Sequence, residues 1–521
     1  MSNNPNRPGV YIDETNAFPN SVVQVETAVP AFIGYTPQAE YEGKSYTLEP
    51  LLINSMAEFL TIFGYPANTE TQEFTPQYTP TYYVVKQQEK PAKGQYYNFS
   101  GDIYTIEPDP NTIYYLYNSL RLFFENGGSQ AYIVSVGTYG PPSRNPINAG
   151  DQIINPNIKL DDLNAGLQTL LKVPEVTMYV FPEATLLSVD DNGTLMEETL
   201  LQCGDMQTAV AIFDVIGGRE PDPILWTNDI QTFRNNTGNN SLKYGAAYYP
   251  FLKTTLTTFD EVSYANINGG DPSGLSDLLN PESSPNPAAV KILSSIDSNG
   301  LTVIQNNNEL VNASKTYKHL LTIVQEKMNI MPPSGGMAGI YSLVDADQGV
   351  WGAPANVPPV GVSDLTLRIN DQEQENLNVD AVSGKSVNAI RFFNGQGVLV
   401  WGARTLDGNS QDWRYINVRR TVTMIEQSIK LALRDYVFSP NTERTWSSVK
   451  SILENFLTNV WKEGARQGTK ASDAFSVQIG LGTTMTAQDI LDGNLRVSVL
   501  LAVSHPAEFL VVTVEQELAK S

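Results

Sequence analysis

Near the start of the chain apolar and polar positions alternate with a period of two. Val10 and Ile12 flank Tyr11, and Val23, Val25 and Thr27 are separated by Gln24 and Glu26. That period belongs to a strand with one buried face. Phe18-Pro19-Asn20 interrupts the two stretches as a turn signal, and neither has a neighbour in sequence with which to form a hairpin. Residues 1–29 therefore read as an extended linking arm that must find a sheet edge elsewhere. The other end repeats the pattern. After Pro506, the β-prone run holding Phe509, Val511, Thr513 and Val514 has no strand following it, which makes 506–521 a second arm.

Between the arms the pattern changes. Short, mostly apolar runs at Val29–Tyr35, Ala131–Val136, Val176–Phe181 and Ala209–Val215 fit buried strands. Helical spacing separates them at Asn54–Leu60, Tyr114–Phe124 and Leu163–Leu171, and Asn126-Gly127-Gly128 stops the second of these. Such alternation argues for a mostly parallel sheet with helices on its faces. The expected organisation is a central α/β domain over 30–64 and 113–385, elaborated peripherally over about 185–310. Residues 65–112, rich in Pro, Thr, Tyr and Gln, read as an inserted β-rich surface region, 257–312 as loops, and 350–387 as a looping connection.

Residues 386–505 read as a C-terminal α+β domain. Val422, Ile425, Ile429, Ala432, Leu433 and Tyr436 recur at steps of three and four, with Glu426 and Lys430 paired on the outer face. A second amphipathic helix carries Trp446, Val449, Ile452, Leu453, Phe456, Leu457, Val460 and Trp461 and ends at Gly464. Strands follow at Phe475–Ile479 and Leu495–Val503.

Composition excludes several classes. The 521 residues include 6 Trp, 19 Phe and 25 Tyr, enough to bury a sizeable core. A single cysteine, Cys203, rules out an intrachain disulfide, and two histidines, His319 and His505, leave little for a metal cluster. No metal or other cofactor is expected. The net charge of -23 opposes nucleic-acid binding. No apolar run of about 18 residues occurs, and the first residues lack a secretory core, so a soluble chain without membrane insertion is expected. The charge is uneven, with +3 on residues 386–505 and -26 on the remainder.

Catalytic patterns are missing. There is no G-x-S-x-G elbow and no Walker lysine. Gly395-Gln396-Gly397 reads as a tight strand turn, Asp345 and Asp347 as a solvated acidic turn, His319 as a surface residue and His505 as a loop residue. An enzyme is not expected.

The residues resemble contractile-tail sheath proteins, the subunits of the shortening sleeve on phage tails and related injection particles. The opening Pro8-Gly9-Val10-Tyr11 and Ala28–Gly34, the helix end Arg121–Gly128 and the central Pro332–Gly339 and Asp345–Asn356 carry the likeness. Its strongest part is Gly397-Val398-Leu399-Val400-Trp401-Gly402-Ala403-Arg404-Thr405-Leu406. Trp413–Arg420 and Pro506-Ala507-Glu508-Phe509 complete it. Residues 65–112 and about 185–310 exceed a minimal subunit of this kind.

The resemblance implies a central domain related in fold to subtilisin, without its chemistry, since no Gly-Thr-Ser nucleophile loop is present. It implies a homo-oligomer built as a helical stack of hexameric rings around an inner tube protein, with baseplate and terminal cap proteins, and paralogous sheath subunits where they exist. It implies assembly in the bacterial cytoplasm as part of a virion tail or an injection particle. It further implies that Val10, Tyr11, Ile12, Val23, Val25, Phe509, Val511, Thr513 and Val514 lend strands to neighbouring subunits. The basic C-terminal domain makes Arg419, Lys450, Lys462 and Arg466 candidates to face the tube, against the alternative of a solvated helix face. Another self-assembling shell or surface-layer protein is the competing reading, and a hydrolase on the subtilisin-like core a third.

Overall fold

The computed structural model describes residues 22–66, 75–296, 298–465 and 470–508. They fall into two compact units. The larger takes the described residues of Glu26–Arg420 and Pro506–Ser521, the smaller those of Met1–Val25 and Thr421–His505.

The larger unit is built on an eight-stranded sheet. Its strands are β1 (Pro30–Thr36), β2 (Leu51–Ile53), β3 (Ala131–Thr138), β4 (Met178–Val180), β5 (Val210–Asp214), β6 (Gly245–Tyr249), β7 (Asn388–Phe393) and β8 (Gly397–Val400). They lie in the order β8-β7-β6-β5-β4-β1-β3-β2. The six inner strands run parallel, and β2 and β8 close the two edges antiparallel. Gly395 and Gly397 adopt positive φ at the β7–β8 turn, as a tight reversal requires.

Helices cover both faces, and β1 shows why its run is apolar throughout. Phe32 packs edge-on against Phe123 of α1 (Leu116–Glu125), with ring centroids 5.3 Å apart. The next residue, Ile33, points the opposite way and meets α2 (Leu160–Thr169), where Gly166 has no room for a Cβ between Ile33 and Val136. Beyond α3 (Val189–Met206) and α4 (Thr227–Asn236) comes α5 (Ser334–Gln348), which lies on α1. The Ser-Gly-Gly at its start makes that contact possible: a Cβ on Gly335 would sit 2.6 Å from the carbonyl oxygen of Ser119.

Two buried carboxyl groups anchor these helices from the carboxyl ends of the strands. Glu183, just after β4, accepts from the amides of Tyr115 (3.2 Å) and Leu116 (2.8 Å) at the start of α1. Asp214, ending β5, accepts from the amide (2.8 Å) and hydroxyl (2.5 Å) of Ser334 at the start of α5. Burial pushes Glu183 up to about 8 and Asp214 to about 7, against the opposing effect of these hydrogen bonds.

The inserted region forms a three-stranded antiparallel sheet of Tyr82–Gln87, Asp102–Pro108 and Tyr97–Phe99. Two stretches expected as loops hold more structure. Helices Pro287–Ser295 and Val303–Ala313 lie in the Asn- and Ser-rich 257–312 stretch, because Asn286 and Thr302 act there as N-caps. A strand, Val362–Leu365, and a helix capped by Asn370, Asp371–Asn378, lie within 350–387. Strands β7 and β8, inside the stretch 386–505 expected as the C-terminal domain, belong to the large sheet, and the compact units divide at Arg420/Thr421.

That division falls inside helix α6 (Ile416–Leu433). In the smaller unit α7 (Glu443–Lys462) buries Trp446, Val449, Ile452, Leu453, Phe456, Leu457 and Val460, the stripe its spacing anticipates. Strands β9 (Phe475–Gln478) and β10 (Ser498–Leu501) form a two-stranded antiparallel sheet.

Candidate functional site

The larger unit holds the inner ends of the two expected arms, at Thr27 and Glu508, by two arginine–carboxylate clamps. On the N-terminal side, Asp345 on α5 and Arg420 on α6 form a two-point ion pair at 2.8 and 2.6 Å, both side chains nearly buried. The pair grips Thr27 from two sides. Its hydroxyl donates to Asp345 Oδ2 (2.6 Å), and its carbonyl accepts from Arg420 Nη2 (3.0 Å) and Thr177 Oγ1 (2.7 Å). Val29 is fixed to the same threonine, its amide donating to Thr177 Oγ1 at 2.9 Å. The Arg420 guanidinium lies 4.8 Å from the Tyr341 ring, whose hydroxyl bonds that of Tyr248.

The C-terminal clamp is Arg404 with Glu508. Nε and Nη2 reach the two carboxylate oxygens at 2.8 and 2.5 Å, and Tyr415 donates to Oε2 at 3.0 Å. Arg404 is itself located by Asn388 of β7, which accepts from its amide and donates to its carbonyl. Both clamp arginines lie in the strongest motif stretches, Gly397–Leu406 and Trp413–Arg420.

In the smaller unit β10 carries one exposed apolar side chain, Leu500, which is 59% accessible. A two-stranded sheet is marginal on its own and gains by adding strands. Leu481 and Leu491, on the chain between β9 and β10, are also exposed.

The structure places the expected site residues unevenly. Val10, Tyr11, Ile12, Phe509, Val511, Thr513, Val514 and Arg466 lie outside the described residues. Val23 is exposed, and the Val25 amide donates to Ser428 Oγ of α6 at 3.0 Å. Residues 22–29 form no strand within the chain, so their alternation makes no ladder here.

Lys450 is exposed on α7, 3.8 Å from Glu454, and Lys462 is exposed in its last turn. Arg419 requires a correction. It is 1% accessible, with its guanidinium 4.5 Å from the Trp413 ring and 4.9 Å from the Tyr244 ring, so it adds nothing to an exposed basic face of this chain. Asp345 is likewise no solvated turn but a helix residue whose nearly buried side chain has a partner. Sequence reasoning gave no role to Arg404, Arg420 or Glu508, although all three lie in the motifs that carried the resemblance. Their partners are 75 to 104 positions away, which no local pattern reveals.

Among the described residues no three His, Cys, Asp or Glu side chains come together as a metal ion would need, and no helix is long and apolar enough to cross a membrane.

Residues 409–517 match the model of the phage tail sheath C-terminal domain. The helical sheath of the anti-feeding prophage in its contracted state superposes with a TM-score of 0.58 and 25% identity, covering 98% of this chain and 99% of that one. Its C-terminal part is similar to the phage tail sheath C-terminal domain, and its fold to that of contractile sheath proteins. The contracted sheath complex of an extracellular contractile injection system, PVC, shares the fold with a TM-score of 0.59 at 24% identity, each chain being 99% covered. A tail sheath protein of Vibrio phage KVP40 is 27% identical over 172 residues, 31% of this chain and 24% of that protein. One from Burkholderia phage BcepMu is 27% identical over 146 residues, 27% of this chain and 30% of that protein. The chain thus spans less than a third of the curated relatives it matches. Its fold is the mixed α/β multidomain fold, with a large mixed sheet, of those contractile sheath structures.

Proposed function

We propose that the chain is a sheath subunit that polymerises as a helical stack of hexameric rings around an inner tube and contracts to drive the tube through a target envelope. One observation supports this reading most: the inner ends of both arms are clamped by arginine–carboxylate pairs, while the smaller unit holds a two-stranded sheet with Leu500 exposed on β10. The arms are the donors of strands to neighbouring subunits, and the sheet of β9 and β10 is their acceptor. Added strands gain backbone hydrogen bonds, and alternate side chains select the register. Lys450, Lys462 and Arg466 face the tube in this reading, and Arg419 does not.

Magnitudes explain why such a bond works in a polymer. Burying Phe509, Val511 and two further side chains yields roughly 1.5–3 kcal/mol each. Ordering about ten arm residues costs ~1–2 kcal/mol per residue before hydrogen bonds are counted. A single arm is marginal, and several held at high effective concentration are not. Contraction is then a rigid-body rearrangement in which the arms stay threaded, and the clamps carry the load from arm to sheet.

The parallel core carries the relation to a subtilisin-like fold, as a relation of fold only. His319 is exposed and 5.7 Å from the Phe99 ring, and His505 is exposed. Baseplate and cap proteins bound the polymer, paralogous subunits join it where present, and assembly takes place in the bacterial cytoplasm.

Negative-stain microscopy of the full chain, alone and co-expressed with a candidate tube protein, tests the reading. Striated tubular sleeves are expected. Flat or closed shells would favour a different self-assembling role.

A further inference from the structure

Five asparagines of the chain precede a glycine: Asn126, Asn192, Asn268, Asn299 and Asn394. The pairing carries a chemistry of its own. The nitrogen of the following residue can attack the asparagine side-chain carbonyl, and glycine, with no side chain, hinders that approach least. Because the successor is the same in all five, differences in reactivity must come from the fold.

Four of the five are held. Asn126 is buried, its side-chain nitrogen donating to the carbonyls of Leu122 (2.8 Å) and Val360 (3.1 Å) and its oxygen accepting from the Val360 amide (2.8 Å). Asn192 is buried inside α3 and donates to the Ala184 carbonyl at 2.8 Å. Asn268 accepts from the Val84 amide at 3.0 Å. Asn299 donates to Asn306 Oδ1 (2.7 Å) and accepts from the Leu301 amide (2.9 Å). Each must break these bonds by local opening before its carbonyl can turn toward the neighbouring nitrogen.

Asn394 differs on every count. It is exposed at the tip of the β7–β8 hairpin, and its side chain makes no hydrogen bond among the described residues. The Gln396 amide closes the turn on the Phe393 carbonyl at 3.1 Å, with Asn394 and Gly395 as the two central residues. The Gly395 amide donates to no carbonyl there, so the attacking nitrogen is free as well. The space around Gly395 is open, since a Cβ placed on it would meet nothing within 4 Å.

We propose that Asn394-Gly395 is a self-modifying site, at which the folded chain loses ammonia and acquires a carboxylate. The Gly395 nitrogen bonds to Asn394 Cγ as its proton passes to water. The side-chain NH2 takes up a proton and leaves as ammonia, which closes a succinimide ring. Water then opens the ring. Addition at Cγ gives an aspartate, and addition at the main-chain carbonyl carbon gives an isoaspartate, whose backbone runs through Cβ and Cγ. Both products carry one more negative charge. The second also lengthens by one backbone atom the short loop between the paired residues Phe393 and Gly397.

The test is peptide mapping by mass spectrometry on the full chain kept in mildly alkaline buffer, folded and in urea. In the folded chain Asn394 is expected to show the mass gain of an amide-to-acid exchange about 10-fold or more faster than Asn126 and Asn192, which must first open. In urea all five should convert at similar rates. Asn394→Gln, whose longer side chain would have to close a larger ring, should show no gain at that position in the folded chain. Asn394 staying intact in the folded chain while it converts in urea would overturn the proposal, as would conversion no faster than at Asn126 and Asn192.

Discussion

Arg420 and Asp345, one on each of two helices of the larger unit, meet in a buried two-point ion pair that also holds the hydroxyl and carbonyl of Thr27. The position of Arg420 gives the pair its meaning. It is the last residue of the larger unit before the chain passes at Thr421 into the smaller one, and Thr27 lies two residues past the Val25/Glu26 crossing. One ion pair of the larger unit thus holds residues that lie next to two of the three points where the chain leaves that unit.

Removing one partner strands the other in a nearly buried site. Asp345→Ala is expected to destabilise the protein by ~3–5 kcal/mol, and Arg420→Lys by less, since charge is kept while the two-point fork is lost. Chemical denaturation of the isolated subunit measures both. A loss below ~1 kcal/mol for Asp345→Ala would show that the pair does not hold the arm's origin.

Glu508 is more accessible than Asp345, at 21% against 6% for the side chain. Glu508→Gln should therefore cost only ~1–2 kcal/mol in the subunit, the weight of a charge-assisted hydrogen bond. Its larger expected effect is on assembly: shorter sleeves by electron microscopy from a subunit that still folds. Sleeves of normal length would separate the clamp from load-bearing.

The elevated carboxyls set a pH dependence. With Glu183 at about 8 and Asp214 at about 7, the folded state holds protons that the unfolded chain releases in the ordinary carboxylate range. Their contribution to stability is complete below about pH 4 and is lost as pH rises through 7 and 8. The melting temperature should fall between pH 5 and pH 9. Glu183→Gln, matching the protonated acid in shape and still accepting the Tyr115 and Leu116 amides, should flatten the upper part of that fall. An equal slope in the variant would assign the dependence to general charge repulsion.

Lys450 and Lys462 are exposed on α7, so reversing both to glutamate leaves the buried stripe untouched. Association with the tube protein should weaken, and more so at low salt than at high salt, because exposed charges are screened within ~10 Å at 0.1 M. Unchanged co-sedimentation at low salt would make these lysines an ordinary solvated face.

What the sequence makes legible depends on how far apart the interacting residues lie. Strand β1 was legible because Ala31, Phe32 and Ile33 are apolar on both faces, and α7 because its stripe repeats every three or four residues. Helices 287–295 and 303–313 were hidden by composition, although Thr302 and Gln305 spell a capping box. Arg419 misled because charge was counted without its ring partners Trp413 and Tyr244. The clamps could not be read at all. Arg420 meets Asp345 75 positions away and Thr27 393 positions away, and no periodicity encodes contacts at such separations.

The most direct measurement removes residues 509–521 while keeping Glu508, then asks separately whether the subunit folds and whether it assembles. Strand exchange requires a monomer with unaltered melting that forms no sleeves under conditions where the full chain does. Ordered, full-length sleeves from the shortened chain would contradict it.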